Sequence, residues 1–365
     1  GKINESIIAK LPAQKKQKKV LDDNFIFKNL KECVETHLRS DVPYCLFYSG
    51  GIDSTLIMYF MHILNLNKKI CAYSVNFKNN DKTACELTKN LANQFNIDLN
   101  QIEFTEEDFW NILPFAAKNI DEPIADYAIL PTFKMASEAS KNFKVALSGE
   151  GGDELFAGYG RYKSLRSPYK GAFRKLSFLS QKNWDFNLKL SIDSKSEFSQ
   201  LQTFQYFDYV NWLPNNLLVK LDRCLMTYGM EGRTPLIDKE LYSKFFYIDD
   251  RLKQKKGYGK YLIRNFLNKK IKNYNFFSKK KGFTLPISDW IPKKSKYLEE
   301  FLPKVDVLKI FFKEDDIKFI CRTSKYDKKM IRPLWHMLFI SSWYLLNIKK
   351  VKTNGNFFDM ISKSV

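Results

Sequence analysis

The sequence predicts an α/β protein in which a parallel, twisted sheet is followed by a largely helical C-terminal part. Short apolar runs alternate with segments of helical periodicity from residue 25 to residue 147. Such alternation is typical of a doubly wound parallel sheet. From residue 201 onward the pattern is mostly helical, with aromatic-rich amphipathic stretches. We therefore expect an α/β unit that helices complete.

The predicted elements follow from these patterns and from the turn residues between them. Continuous apolar runs bounded by turn residues indicate buried strands, which we place at residues 44–48, 70–77, 102–104 and 144–147. Apolar residues at helical spacing indicate helices, which we place at residues 25–39, 54–64, 82–95 and 132–140 and from Asp153 onward.

The domain prediction is one folded unit between two tails. Residues 22–346 form the unit, with an α/β core at 22–165 and a helical part at 200–346. Residues 1–21 are polar and basic and are predicted to be a tail or linker. Residues 347–365 are predicted to be a C-terminal tail.

Composition fits a water-soluble globular protein, but the charge is unusual. The chain has 365 residues, is 44% hydrophobic and 27% charged, and carries a formal net charge of +20 at pH 7. Lysine runs at 15–19 and 279–281 contribute to this excess. A basic balance permits nucleic-acid binding. We favour a compositional bias toward lysine and do not expect a nucleic-acid partner.

The cysteines, histidines and apolar stretches narrow the function classes further. Six cysteines include no C-x-x-C pair, so we expect reduced thiols and neither a disulfide framework nor a zinc site. The three histidines lie far apart in sequence, which argues against a histidine-based metal site. No signal-peptide pattern is present, and the apolar stretch 334–346 is too short to span a bilayer. We expect a cytoplasmic protein without a membrane partner.

The first chemical motif follows the strand at 44–48 and opens the next helix; it reads Ser49-Gly50-Gly51-Ile52-Asp53-Ser54. Glycines let backbone N–H groups turn toward phosphate oxygens, and a helix N-terminus favours anions. Asp53 would hold Mg²⁺ against the polyphosphate. The absence of a G-K-[ST] ending argues against a loop that handles a γ-phosphate. The alternative is a serine-capped helix after a tight turn.

The second motif follows the strand at 144–147 and reads Leu147-Ser148-Gly149-Glu150-Gly151-Gly152-Asp153-Glu154-Leu155-Phe156. Three glycines hold its backbone open, and three carboxylates gather where a helix begins. These acids could face a metal ion or a substrate ammonium. A capping cluster on a solvated helix start is the alternative, although capping needs fewer acids and glycines.

The first motif resembles the pyrophosphate loop of the N-type ATP pyrophosphatases, which cleave ATP to AMP and pyrophosphate. The second closely resembles the signature of the asparagine synthetase family within that superfamily. Further stretches agree with that family in order along the chain: 39–43, Asp121-Glu122-Pro123 with Asp126, 230–238, and 280–283 with Trp290. The resemblance covers residues 22–346 and implies the ATP-pyrophosphatase fold, with 22–165 binding nucleotide and 200–346 completing the site.

The resemblance also implies roles for individual residues. It implies that ATP contacts Phe47, Ser49, Gly50, Gly51, Asp53, Ser54, Val75, Ser148 and Gly149. It implies that Asp53 and Asp153 bind Mg²⁺. The catalytic residues by this resemblance are Glu150, Lys280 and Arg233, with Glu150 serving amide formation and Lys280 stabilising developing negative charge. Glu154 and Arg233 would bind the amino-acid substrate.

The implied reaction adenylates a carboxylate, the aspartate side chain in the leading interpretation, and transfers it to ammonia to give asparagine, AMP and pyrophosphate. Ammonia would arrive free, from glutamine, or from a glutaminase domain or subunit, because no glutaminase precedes the predicted unit in this sequence. Gly232, Thr234, Leu236 and Ser278 depart from the family pattern, which leaves the acyl substrate open. A β-lactam, peptide or surface-polysaccharide pathway is the alternative, and an RNA-modifying relative is more remote.

Overall fold

A five-stranded parallel sheet organises the part of the chain that the computed structural model describes, which is residues 21–66, 69–77, 82–124, 126–163, 198–278, 285–352 and 355–364. Its strands are β1 (Tyr44–Phe47), β2 (Ile70–Phe77), β3 (Ile97–Phe104), β4 (Val145–Leu147) and β5 (Glu231–Arg233). Their order across the sheet is β3-β2-β1-β4-β5, and every neighbouring pair is parallel. The predicted α/β class with a parallel sheet is confirmed.

The helices of the first half precede, separate and follow the first four strands. They are α1 (Asp23–His37), α2 (Ile52–Leu64), α3 (Lys82–Gln94), α4 (Glu106–Lys118), α5 (Ile129–Ala139) and α6 (Gly152–Phe156). Capping residues in the local sequence mark where several of these helices begin. The Asp22 carboxylate accepts the Phe25 N–H at 2.7 Å, and Thr105 with Asp108 forms a capping box on α4.

Among the described residues of the second half, the regular elements are helices apart from β5. Its α-helices are α7 (Gln200–Phe207), α8 (Val219–Met226), α9 (Lys239–Phe245), α10 (Asp250–Lys253), α11 (Tyr261–Lys270), α12 (Ile287–Lys293), α13 (Ser295–Phe301), α14 (Asp306–Phe311), α15 (Glu314–Thr323), α16 (Ile331–Trp343) and α17 (Phe357–Ser362). A π-helical segment, Asp208–Leu218, joins α7 to α8, and a second one, Tyr344–Ile348, extends α16. No described helix is both long enough and apolar enough to cross a membrane.

Both faces of the sheet are covered, as a doubly wound arrangement requires. On one face Phe47 and Val75 pack with apolar residues of α4, α5, α8 and α16. On the other, Leu46, Ala72 and Leu147 pack with residues of α1, α2, α9 and α11. Because successive strand side chains point to opposite faces, β1, β2, β3 and β4 each contribute to both cores.

Three elements differ from the sequence expectation. β3 begins at Ile97, five residues before the predicted start, because polar residues along its length hide the strand pattern. Helix α4 and strand β5 were not predicted, and β5 is only three residues long.

The predicted C-terminal tail contains a packed helix. In α17, Phe357, Met360 and Ile361 are buried in the core beside α4. The rings of Trp110 and Phe357 lie 5.6 Å apart between centroids. The predicted N-terminal tail lies outside the described residues, except for Leu21, and the domain division as a whole stays a prediction.

Candidate active site

A cavity of about 480 Å³ opens just beyond the carboxyl ends of β1 and β4. The strand order changes direction there, because β2 and β3 lie on one side of β1 while β4 and β5 lie on the other. Open α/β sheets bind ligands in the crevice at such a switch point. The two glycine motifs follow these two neighbouring strands, so the fold brings them to the same crevice.

The first loop, residues 48–54, turns sharply into α2. Gly50 has φ +65°, a left-handed conformation that favours glycine. The Gly51 N–H donates to the Ser49 hydroxyl at 3.2 Å, and the Ser54 hydroxyl donates to the Gly51 carbonyl at 3.2 Å. These bonds hold the start of α2 toward the cavity, where a helix N-terminus favours an anion.

The second loop, residues 148–153, packs directly against the first. A Cβ on Gly149 would lie 2.9 Å from the Ser54 backbone nitrogen, and one on Gly152 would lie 2.3 Å from Asp53 Oδ1. Neither contact can be accommodated without moving the backbone or the carboxylate. The glycines are therefore required by the close approach of the two loops.

Lys260 joins the carboxylates of the two loops. Its Nζ lies 2.5 Å from Asp53 Oδ2 and 2.8 Å from Asp153 Oδ1. Burial alone would lower the pKa of Lys260, but the charges of Asp153 and Asp53 outweigh it and raise the pKa above its usual value. The ammonium thus stays charged within the cavity.

Lys220 forms a second, similar cluster in the same cavity. Its Nζ lies 2.8 Å from Asp126 Oδ2 and 3.1 Å from Glu150 Oε1. Burial would lower its pKa, yet the Asp126 and Glu150 charges raise it. Two carboxylates around one buried ammonium leave this part of the cavity with a net negative charge.

Most of the predicted site residues meet in this cavity. Its lining includes Phe47, Ser49, Gly51, Asp53, Ser54, Val75, Ser148, Gly149, Glu150 and Asp153. Phe47 and Val75 supply apolar surface of the kind that a purine ring packs against. Gly50 shapes the turn from behind rather than lining the cavity. Lys280 lies outside the described residues.

Two predicted residues are placed elsewhere. Arg233 donates from Nη1 to the carbonyls of His37 and Arg39, at 2.8 and 2.6 Å, and from Nε to Glu231 at 2.8 Å. It therefore ties β5 to the end of α1, and the described cavity lining does not include it. The space beside its neighbour Gly232 is filled, since a Cβ there would lie 2.7 Å from Leu225 Cδ1.

Glu154 also lies behind the cavity rather than in it. The residue is 1% exposed, and its Oε1 accepts the Tyr159 hydroxyl at 2.7 Å. Burial first, and then the charge of Asp153, raises the pKa of Glu154 to about 8. The structure thus brings the expected phosphate and metal residues together, but neither of the two residues expected to bind the amino acid.

Sequence reasoning missed the two lysines that organise the site, together with Arg264, which lines the same cavity. Lys260 lies just before α11, and Lys220 lies within α8, both far along the chain from the glycine loops. The residues around them in the sequence resemble those around many other lysines of this lysine-rich chain. Only their burial distinguishes them from the other lysines. The burial of a lysine that belongs to no motif cannot be predicted from one sequence.

Asp53 and Asp153 fit a magnesium ion. Carboxylate oxygens are the ligands Mg²⁺ prefers. Both already contact one cationic atom, Lys260 Nζ, so they are close enough to share a metal ion. The donor set therefore agrees with the predicted role of these two residues.

Comparison with known proteins identifies the family. The Asparagine synthase family model matches residues 26–345. The chain is 27% identical to asparagine synthetase [glutamine-hydrolyzing] 1 of Bacillus subtilis, over 93% of this chain and 61% of that protein. It is 25% identical to asparagine synthetase [glutamine-hydrolyzing] 3 of the same organism, over 72% of this chain and 49% of that protein.

A shorter match is to the amidase chyE of Penicillium rubens, at 26% identity over 38% of this chain and 22% of that protein. The chain thus spans about three fifths of the length of the first Bacillus relative. The family match covers nearly the whole described chain and confirms the resemblance inferred from the two glycine motifs. The chain belongs to the asparagine synthase family, a family of carbon–nitrogen ligases.

Proposed function

We propose that this chain uses ATP to adenylate a carboxylate, the side chain of aspartate, and then joins the acyl group to ammonia. The products are asparagine, AMP and pyrophosphate. The observation that carries the proposal is the pairing of two glycine loops at one crevice, with Asp53 and Asp153 converging on one cationic point. A phosphate cradle, a metal-binding pair and an apolar wall are what adenylation needs at one place.

The first step would form the acyl-adenylate. A carboxylate oxygen attacks the α-phosphorus of ATP, the bond from that phosphorus to the bridging oxygen breaks, and pyrophosphate leaves. The backbone N–H groups of the first loop and the N-terminus of α2 would bind the departing phosphates. Lys260 would offset the negative charge that builds up on them. A protein nucleophile is not needed, since positioning and charge neutralisation supply the catalysis.

The second step would form the amide. Ammonia attacks the acyl carbon, the bond from that carbon to the AMP oxygen breaks, and AMP leaves. The attacking nitrogen loses one proton, which Glu150 would accept or pass to water. The Glu150 carboxylate is already fixed by Lys220 at 3.1 Å, which would orient it toward the reacting nitrogen.

Magnesium, held by Asp53 and Asp153, would neutralise the triphosphate and supply electrophilic assistance at phosphorus. ATP and Mg²⁺ are therefore the expected ligands of this site. The small-molecule partners are an amino acid and a nitrogen donor. The printed names of the Bacillus relatives include glutamine hydrolysis, and we propose that ammonia reaches this chain from such a reaction or from solution.

A different acyl substrate is the second candidate function. One observation favours it: Arg233, the residue expected to bind the amino acid's carboxylate, donates instead to the backbone carbonyls of His37 and Arg39 at the end of α1. The amidase match is compatible with it. In this case the same adenylation would serve another carboxylate.

The test measures products with MgATP, aspartate and ammonium together, and with each omitted in turn. Equal amounts of asparagine, AMP and pyrophosphate are expected only in the complete mixture. Pyrophosphate release without any requirement for aspartate would contradict aspartate as the substrate and support the second candidate. Absence of AMP with every carboxylate offered would overturn adenylation itself.

Asp153→Asn gives the matched variant. We expect pyrophosphate release to fall at least ~100-fold, because one of two metal-binding carboxylates is lost. Asp98→Asn makes the same chemical change at a half-exposed position on β3, outside the cavity. It should retain wild-type release. Wild-type turnover in Asp153→Asn would contradict the metal assignment.

A further inference from the structure

A second group of metal-binding side chains lies outside the cavity, between α1 and the turn that follows β5. Cys33 and His37 are one helical turn apart on α1 and therefore share a face. Asp238 joins them from a position two hundred residues later. One donor atom from each of the three lies within 4.8 Å of the other two. A sulfur, a nitrogen and an oxygen donor atom thus lie close together, although none of the three residues alone would indicate a metal site.

The chemistry of these donors favours a different metal from the one that the cavity would bind. Thiolate, imidazole and carboxylate together suit Zn²⁺ and similar borderline cations, whereas Mg²⁺ prefers oxygen ligands alone. The carboxylates Asp53 and Asp153 belong to the second type. The two sites would therefore not compete for one ion.

The spacing is close to what a tetrahedral site requires. Zn²⁺ bonds of roughly 2.0 to 2.3 Å place neighbouring ligand atoms about 3.3 to 3.8 Å apart. In this structure one donor atom from each residue lies within 4.8 Å of the other two. A contraction of at most about 1.5 Å would close the site, which side-chain rotation on the half-exposed His37 and Asp238 can provide.

Existing hydrogen bonds pre-orient the ligands. His37 Nδ1 lies 2.9 Å from the Cys33 carbonyl oxygen. If it donates there, the imidazole lone pair is on Nε2, as in many metal sites whose second ring nitrogen bonds a carbonyl. Asp238 Oδ1 accepts the Leu241 N–H at 3.0 Å, which leaves Oδ2 for a cation. The Cys33 thiol donates to the Pro235 carbonyl at 3.1 Å, and metal binding would replace this bond.

We propose that Cys33, His37 and Asp238 bind one thiophilic divalent cation, with Zn²⁺ as the physiological type and water as the fourth ligand. Binding exchanges the thiol proton for the metal, and the proton leaves to solvent. This differs from the expectation of no zinc site, because the third ligand is invisible in local sequence. The proposal does not depend on the proposed ligase activity.

The site would brace the back of the second glycine loop. The turn that carries Asp238 also carries Leu236 and Ile237. A Cβ on Gly151 would lie 2.1 Å from Ile237 Cγ2, and one on Gly152 would lie 3.0 Å from Leu236 Cδ1. A metal bond from this turn to α1 would therefore restrain the wall of the loop that bears Glu150 and Asp153.

Cobalt substitution of the whole chain tests the proposal. Co²⁺ bound by a thiolate gives a sulfur-to-metal charge-transfer absorption, which oxygen ligands such as Asp53 and Asp153 cannot produce. We expect one equivalent of Co²⁺ to produce this band and one equivalent of Zn²⁺ to remove it. Absence of the band in the wild-type chain would overturn the proposal.

Three variants locate the band. Cys33→Ser should abolish it, and His37→Gln should weaken Co²⁺ binding at least ~10-fold. Asp238→Asn keeps an acceptor for the α9 cap and should also weaken binding. Cys71→Ser, which removes a partly exposed thiol on β2, is the control and should keep the band. A band that persists in Cys33→Ser would refute the site. Because His37 is half-exposed, its variant still decides the matter if Cys33→Ser fails to fold.

Discussion

Buried ionisable side chains have opposite surroundings in the cavity and in the interior behind α6. In the cavity, Lys260 and Lys220 each contact two carboxylates, and their pKa values are raised despite burial. Behind α6, Lys253 is 0% exposed, and its acceptors among the described residues are two neutral groups, Gln205 Oε1 at 2.9 Å and the Phe246 carbonyl at 2.5 Å.

The pKa of Lys253 shifts in the opposite direction from the pKa values of the two cavity lysines. Burial lowers its pKa to about 7, and Asp250, the described carboxylate that acts on it, offsets this only in part. Glu154, in the same interior, has its pKa raised to about 8 by burial and by Asp153. An ion-paired buried charge keeps its charge, whereas one bonded to neutral groups tends to lose it. Charge is thus concentrated where the proposed chemistry takes place.

The largest effect is expected from Lys260→Ala. Removal of the ammonium leaves Asp53 and Asp153 facing each other and removes the positive charge next to the phosphates. Pyrophosphate release should fall ~1000-fold or more, measured with saturating ATP. Lys269→Ala, which breaks an ion pair with Asp23 on the surface, is the control and should retain activity. Equal activity of the two variants would remove Lys260 from the mechanism.

Lys220→Met should have the next largest effect. It keeps an unbranched side chain one atom shorter than lysine but leaves Asp126 and Glu150 without their shared cation. Amide formation should fall ~100-fold, while ATP–pyrophosphate exchange should fall less, because the first loop and Lys260 remain. An equal loss in the exchange reaction and in amide formation would place Lys220 with the phosphates instead of with Glu150.

Lys253→Met tests the other half of the comparison through stability. In the wild-type protein the folded state releases the Lys253 proton at about pH 7, whereas the unfolded state holds it until about pH 10. The unfolded state therefore binds more protons in that window, and the free energy of unfolding should rise with pH across it, by on the order of 3 kcal/mol. Urea midpoints at pH 7 to 9.5 should show this rise in the wild type and a flatter profile in Lys253→Met. Parallel profiles would mean that Lys253 keeps its charge.

Glu154→Gln should give the smallest effect and the opposite slope. The folded wild-type chain keeps the Glu154 proton up to about pH 8, while the unfolded chain loses it near the usual carboxyl pKa. The free energy of unfolding should therefore fall as pH rises between these values, and the variant should lack that fall. At pH 8.5 the variant should be more stable, by on the order of 2 kcal/mol.

The same Glu154 variant tests the role expected from the family resemblance. If Glu154 only supports α6 through Tyr159, KM and kcat for the acyl substrate should change less than ~2-fold. A KM raised ~10-fold with unchanged stability would instead restore Glu154 to the substrate site.

Sequence alone determined the α/β class with a parallel sheet, three of the strands and the centre of the site. Apolar runs gave β1, β2 and β4, since a buried parallel strand must be apolar on both faces. The motifs at 49–54 and 148–154 determined the crevice, because glycine turns at the ends of parallel strands are local features. Family membership followed from the same residues, as the match over 26–345 confirmed.

Tertiary structure alone decided which charges meet. Asp53 and Lys260 are separated by 207 residues, and Cys33 and Pro235 by 202. It also decided that Arg233 holds α1 and that α17 packs on the core. Such pairings depend on how helices from the second half cover the sheet. No short-range sequence pattern predicts this arrangement of helices. The two glycine loops could be read from the chain, whereas the lysines that make them a charged cavity became visible only in the folded protein.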